Sequence, residues 1–345
     1  MSFLKRWFKS SKKESVDNTN DLPGNAGTHV TASELIGLQQ KARKLNLNRR
    51  SYASASTTGS HHSRFRGRGM DYQESRLYQA GDDIRNMDWR VTARAGKPHT
   101  KLYQEERERP VVLLVDFNIG MFFGSTKSLK SVVAAKVAAL IAWAVASRGD
   151  RIGALLITLA TKDKENETHL ELPPKMGKRG ALQLIRELVI HSDPQKAMQS
   201  TRTHTSLNDQ LQRLRHIAHP GTLVFLISDF YNIDDKTAQH LQRLSRHNDI
   251  QAIQIVDPLE ITPPPPERYT VTDGTNMGVL DTRSKKGHQR YQQFFNQHHQ
   301  SVNDLMNKHN IPLLKISTAD DILLTLQQNF GNTKRRASVA SKAAA

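Results

Sequence analysis

The stretch Val111-Val112-Leu113-Leu114-Val115-Asp116 decides the fold of this chain. Five apolar residues in succession, with no polar alternation, describe a strand covered on both faces, as a central strand of a parallel sheet must be. Downstream, residues 128–147 read as a helix apolar almost all round, stopped by Gly149. Residues 152–158 read as the next strand, 169–172 as a short edge strand, and 178–190 and 206–217 as helices. Residues 222–227 repeat the continuous apolar run and end in Ser228-Asp229. A helix over 235–246, a strand over 250–256, a proline loop over 263–266 and a hairpin over 269–281, turning near Gly274 and Asn276, come next. A polar helix over 286–307, a strand over 313–316 and a helix over 319–328 close the pattern. Strands alternating with helices predict one α/β domain over residues 111–330, doubly wound around a mainly parallel sheet.

Upstream the texture differs. Residues 1–30 read as a basic, disordered tail, and 331–345 as a second disordered tail. Phe3, Leu4, Trp7 and Phe8 would share one helical face with Lys5, Arg6 and Lys9 elsewhere. That pattern suits an anionic membrane surface as well as a frayed terminus or a short docking helix. The start turns polar too soon for a signal peptide, and no stretch reaches the roughly 18–20 apolar residues of a membrane span. Residues 31–110 read as an N-terminal extension. It opens on the capping box Thr31-Ala32-Ser33-Glu34, with a helix to about residue 47. The segment Arg64-Phe65-Arg66-Gly67-Arg68-Gly69 is basic and glycine-spaced, but no strand precedes it, which argues against a dinucleotide site.

The net charge of +17 over 345 residues favours anionic partners: nucleic acid, an acidic protein face or a phospholipid surface. With no cysteine, disulfides, thiolate metal sites and cysteine nucleophiles are excluded. There is no phosphate-binding loop for nucleotide hydrolysis, and no Ser/His/Asp triad is defensible.

In open α/β sheets ligands bind beyond the carboxyl ends of the strands, at the point where strand order reverses. Asp116 and Asp229 each follow an apolar strand directly. If those strands are neighbours, both carboxylates face one crevice, where they would suit a hard divalent cation such as Mg²⁺. The plainer alternative is that each Asp caps its own loop. His61-His62 and His298-His299 read as incidental rather than as metal ligands.

Asp116-Phe117-Asn118-Ile119-Gly120-Met121 resembles the Asp-x-Ser-x-Ser metal loop of von Willebrand factor A domains. Arg148-Gly149-Asp150-Arg151-Ile152-Gly153 resembles the turn before their second strand. Thr205 matches the position of the family's metal-ligating Thr, and Asp229 that of its second Asp. Upstream, Arg76-Leu77-Tyr78-Gln79-Ala80-Gly81-Asp82-Asp83-Ile84-Arg85-Asn86-Met87-Asp88-Trp89 resembles the hallmark of the domain of unknown function 58 family. The charges around Trp89 read either as a salt-bridged network anchored by the indole or as a docking surface.

The resemblance implies a von Willebrand factor A-like, Rossmann-type domain behind an N-terminal extension. It implies a bacterial, cytoplasmic, non-enzymatic adaptor that works with a MoxR-type AAA+ ATPase and other von Willebrand factor A-domain proteins in a chaperone-like or complex-assembly system. The N-terminus would supply any membrane association. The implied metal set is Asp116, Asn118, Thr205 and Asp229, holding Mg²⁺ at most weakly, because Asn118 and Gly120 stand where the family has hydroxyls. The alternative expectation is a basic nucleic-acid-binding protein, motivated by the charge and the Arg64–Arg68 stretch. A metal-dependent hydrolase lacks a nucleophile or base with a convincing partner.

Overall fold

A computed structural model describes residues 27–47, 70–79, 81–105, 109–159, 168–198, 206–231, 233–272 and 277–330. The basic N-terminal tail, the Arg64–Arg68 stretch, His61-His62, Thr205, the 273–276 turn and the C-terminal tail lie outside the described residues. The chain divides into two compact units, Ala53–Glu108 and the remainder.

The larger unit begins with helices α1 (Ala32–Gly37) and α2 (Gln39–Ala42). Thr31 caps α1 as its sequence predicts, its Oγ1 accepting from the Glu34 N–H at 3.2 Å. The expected single helix to residue 47 instead breaks at Leu38 and stops at Ala42.

The smaller unit pairs β1 (Met70–Leu77) with β2 (His99–Glu105) in an antiparallel hairpin, with α3 (Trp89–Ala95) between them. No strand signal is legible in these residues, because charged positions interrupt any alternation in β1. The hallmark carboxylates fold the unit. Asp82 pairs with Arg76 at 2.7 Å, and Asp83 accepts from the Arg85 N–H at 3.0 Å. Asp88 caps α3 at the Val91 N–H (3.1 Å) and accepts from Ser75 Oγ at 2.8 Å. Those bonds hold the Asp88 carboxyl below its usual range. Trp89 is no buried anchor: it is 67% exposed, and Arg85, Arg90 and Arg94 are exposed beside it in sequence.

The larger unit continues with β3 (Val111–Asp116), α4 (Lys130–Ala146), β4 (Arg151–Ile157), β5 (His169–Met176), α5 (Gly177–His191) and α6 (Pro194–Met198). Then come α7 (Leu207–Ile217), β6 (Leu223–Ser228), α8 (Asp235–Ser245), β7 (Asp249–Val256), α9 (Pro258–Ile261) and the hairpin β8 (Arg268–Thr272) with β9 (Met277–Asp281). Helix α10 (Lys285–Lys308), β10 (Leu313–Ser317) and α11 (Ile322–Phe330) complete it.

The six-stranded sheet has the order β10-β7-β6-β3-β4-β5. Every pairing is parallel except the edge pair β4–β5. Numbered within the sheet this is 3-2-1-4-5-6, the doubly wound order, with its switch point between β3 and β6. The expected α/β class is what forms. Along β3 the side chains alternate between two cores: Val111, Leu113 and Val115 join one cluster, Val112 and Leu114 the other. That two-sided cover is why the strand reads as an unbroken apolar run.

Every residue of helix α4 from Lys130 through Val145 is buried except Lys136. A helix apolar on all sides needs cover on all sides, and segment 27–47 supplies the outer layer. Leu35, Ala42, Leu45 and Leu47 join the core around α4, and Trp143 Nε1 donates to the Leu35 carbonyl at 2.9 Å. Residues 31–47, read from sequence as part of the N-terminal extension, thus pack into the sheet unit, while 70–105 form the separate one. Gly149, at φ 82°, adopts the left-handed turn that ends α4 and leads into β4. Among the described residues no helix is long and apolar enough to cross a membrane.

Candidate functional site

Strands β3 and β6 run in register, Val115 opposite Ile227, so their ends carry Asp116 and Ser228-Asp229 to one edge of the sheet. Ser228 Oγ donates to Asp116 Oδ2 at 2.7 Å, and the Asn118 N–H donates to Asp116 Oδ1 at 2.9 Å. The Phe230 N–H donates to Ser228 Oγ at 2.9 Å, which commits that hydroxyl on both sides. Phe230 is buried and holds φ 56°, a left-handed conformation that a bulky residue adopts only under constraint. The kink turns the chain so that the Tyr231 N–H donates to Asp229 Oδ1 at 3.2 Å.

The second oxygen of Asp229 meets a cation that no motif announced. Lys130 Nζ, on the first residue of α4, lies 3.0 Å from Asp229 Oδ2 and 2.7 Å from Glu260 Oε1. The Lys130 side chain is 1% exposed, and both carboxylates are 7% exposed. Burial works to neutralise the ammonium, but the charges and hydrogen bonds of Asp229 and Glu260 outweigh it and raise the Lys130 pKa, so the group stays charged. Tyr231 covers the pair: its hydroxyl donates to Glu260 Oε1 at 3.4 Å, and its ring centroid is 5.3 Å from Lys130 Nζ. Burial, then the charge of Glu260, raises the Tyr231 pKa and keeps the phenol neutral.

Asp116 lacks such a cation. Burial first, then the charge of Asp229, pushes its carboxyl up to about 6, against the lowering pull of its bonds to Ser228 and Asn118.

Helix α10 supplies the floor. His298 Nε2 lies 3.0 Å from the Asp229 carbonyl, and its ring stacks on Tyr231 with centroids 4.1 Å apart. His299 Nε2 lies 3.3 Å from the Glu260 carbonyl, and Gln254 Nε2 is 3.4 Å from both the Asp229 carbonyl and His299 Nδ1. Burial lowers both histidine pKa values, so neutral rings donate through Nε2–H. A further carboxylate, Asp257, is fully buried at the end of β7. It accepts from the Ser125 N–H at 2.8 Å and also from Ser125 Oγ, from Thr318 Oγ1 at 2.8 Å and from the Leu259 N–H at 3.0 Å.

The structure therefore brings together three of the residues named from sequence, Asp116, Asn118 and Asp229, with Thr205 outside the described residues. Lys130, Glu260, Tyr231 and Gln254 were missed, and the His298-His299 pair set aside as incidental holds the backbone of the site. One signal for Lys130 was present: a lysine at the first position of an apolar helix opposes the helix dipole and calls for acidic partners.

The carboxylates do not fit a divalent ion as they stand. All four oxygens of Asp116 and Asp229 accept internal hydrogen bonds. Among the described residues, no group of three or more His, Cys, Asp or Glu side chains converges that could hold a metal ion.

The model of the family described as "Protein of unknown function DUF58" matches residues 74–301 of this chain. The uncharacterized protein Rv1480 of Mycobacterium tuberculosis is 28% identical over 206 residues, 60% of this chain and 61% of that protein. The uncharacterized protein Mb1516 of Mycobacterium bovis matches to the same extent. The chain thus spans less than two thirds of the length of the curated relatives it matches. Among solved structures, the conserved hypothetical protein BatB from Bacteroides thetaiotaomicron aligns with a TM-score of 0.40 at 10% identity, covering 67% of this chain and 99% of that one. A von Willebrand factor type A protein from Catenulispora acidiphila aligns at 0.30 and 13% identity, covering 46% and 35%.

Proposed function

Because the chain belongs to the DUF58 family, we propose that it is a non-enzymatic protein-binding adaptor whose von Willebrand factor A-like domain docks a MoxR-type AAA+ ATPase through the edge where β3 and β6 end. Other von Willebrand factor A-domain proteins are further partners under this reading. The observation that carries it is the pairing of a chemically closed crevice with an apolar rim. Among the described residues, both carboxylate oxygens of Asp116 and of Asp229, the Ser228 hydroxyl and the Lys130 ammonium each have an internal partner, so none of these groups is poised as a nucleophile or base. Around it, Phe123 (43% exposed), Ile261 (55%) and Met198 (86%) present large apolar side chains from the loop after β3, from α9 and from α6. Apolar side chains ringing a rigid polar centre are what a partner protein can bury. A cytoplasmic location, with the N-terminal aromatic and basic segment touching anionic membrane, belongs to the same proposal.

The test is a pulldown of the ATPase with ATP and Mg²⁺, using the wild type, Phe123→Asp and Ile261→Asp. Capture by the wild type, lost in both variants while each stays folded, is the expected result. No ATPase in the wild-type eluate, or equal recovery by all three proteins, would refute the docking edge. Retention of nucleic acid instead, falling steeply with salt, would favour the basic nucleic-acid-binding alternative.

A further inference from the structure

We propose that the ammonium of Lys130 is the resident cation of the switch-point crevice, occupying the electrostatic role of a divalent metal, so that this edge is assembled without one. The inference concerns how the edge is built and holds whichever partner docks there.

Four observations converge on it. The positive charge sits 3.0 Å from Asp229 Oδ2, on one of the two carboxylates that a metal at this edge would use. Lys130 is buried at the N-terminal residue of α4, where the helix dipole disfavours a cation. It persists there because two carboxylates, Asp229 and Glu260, are left in the same low-dielectric space. The triplet carries one surplus negative charge, which the Tyr231 N–H, the Asp257 N–H and the Tyr231 hydroxyl meet with hydrogen bonds. Finally, a Cβ at Gly120 would stand 3.0 Å from Asp229 Oδ2. The place where a hydroxyl ligand would start is crowded by the carboxylate that leans toward Lys130.

Titration of the full chain with Mn²⁺ and Mg²⁺, read by calorimetry and by Mn²⁺ electron paramagnetic resonance, tests this. Wild type should show no saturable binding that depends on Asp229. The double variant Lys130→Met/Glu260→Gln removes one charge of each sign and leaves the Asp116–Asp229 pair without its cation. It should show saturable Mn²⁺ binding, at least about tenfold tighter than any binding by the wild type, since carboxylate charge sets affinity for hard cations. Binding in the wild type that Asp229→Asn abolishes would overturn the proposal. Wild-type binding that Asp229→Asn leaves intact would come from elsewhere and sustain it. A folded double variant with no gain in Mn²⁺ affinity would overturn it too. If that variant does not fold, the titrations of wild type and Asp229→Asn decide alone.

Discussion

Replacing Lys130 by Met removes the ammonium but keeps most of the side-chain volume, so the effect isolates charge. In the folded protein Lys130 meets Asp229 at 3.0 Å and Glu260 at 2.7 Å, with all three side chains at most 7% exposed. An exposed pair would contribute only about 0–1 kcal/mol. Breaking a buried pair by deleting one partner costs about 3–5 kcal/mol, because the partner is left charged and unpaired. Two stranded carboxylates argue for the upper end of that range. A ceiling exists as well. One carboxyl can take up a proton, and doing so at pH 7.5 from an ordinary pKa near 4 costs about 5 kcal/mol. The same reasoning fixes the pH dependence. Burial disfavours the charged form of a carboxylate left without a partner, so proton uptake should favour the folded variant at low pH. The deficit should therefore shrink by up to about 1.4 kcal/mol for each unit of pH lowered from 7.5 toward 5.5. Urea unfolding at both pH values, with midpoints and slopes compared to wild type, measures it. A deficit under about 1 kcal/mol at pH 7.5, or one that does not shrink at pH 5.5, would refute the buried-cation reasoning.

The Asp116 carboxyl, raised to about 6 in the folded state, contributes stability that is complete below its unfolded pKa near 4 and is lost as pH rises through about 6. Asp116→Asn should flatten that part of the stability–pH curve by up to about 3 kcal/mol, and an unchanged slope would contradict the shift. Leu35→Ala should cost about 2–5 kcal/mol, because this fully buried side chain covers the outer face of α4. A near-neutral result in thermal unfolding would mean that segment 27–47 is not part of the core. Gly120→Ala should cost about 1–3 kcal/mol, since the new Cβ meets an Asp229 oxygen already held by Lys130. Gly37→Ala, where the added Cβ meets nothing within 4 Å, should be neutral or stabilising in the same assay.

The central architecture was readable because its signals are local. The unbroken apolar runs at β3 and β6 mark strands with two covered faces, and the acidic residue after each places Asp116 and Asp229 on one edge once the strands are neighbours. The rest of the site was hidden because its partners are far apart in sequence. Lys130 and Glu260 are 130 residues apart, and neither belongs to a motif that the sequence displays. His298 and His299 work through the backbone carbonyls of Asp229 and Glu260, which leave no trace in side-chain patterns. The hallmark around Trp89 was recognisable as a family signature, but its role was not: its aspartates cap turns and pair with Arg76, and the indole they flank is exposed. Charge alternation in sequence does not distinguish capping from a salt-bridged network.

The Asp257 carboxylate gathers the segment after β3 through Ser125, the start of α9 through the Leu259 N–H, and the end of β10 through Thr318. Three loops that the chain visits at widely separated points are thereby fastened to one buried anchor. None of them can be displaced without straining the other two. A load placed on Phe123 is shared with the backbone beneath Ile261 and with the turn after β10, so this end of the sheet yields as a plate and not as separate fingers. A partner that grips this rim would therefore meet the end of the sheet as one piece.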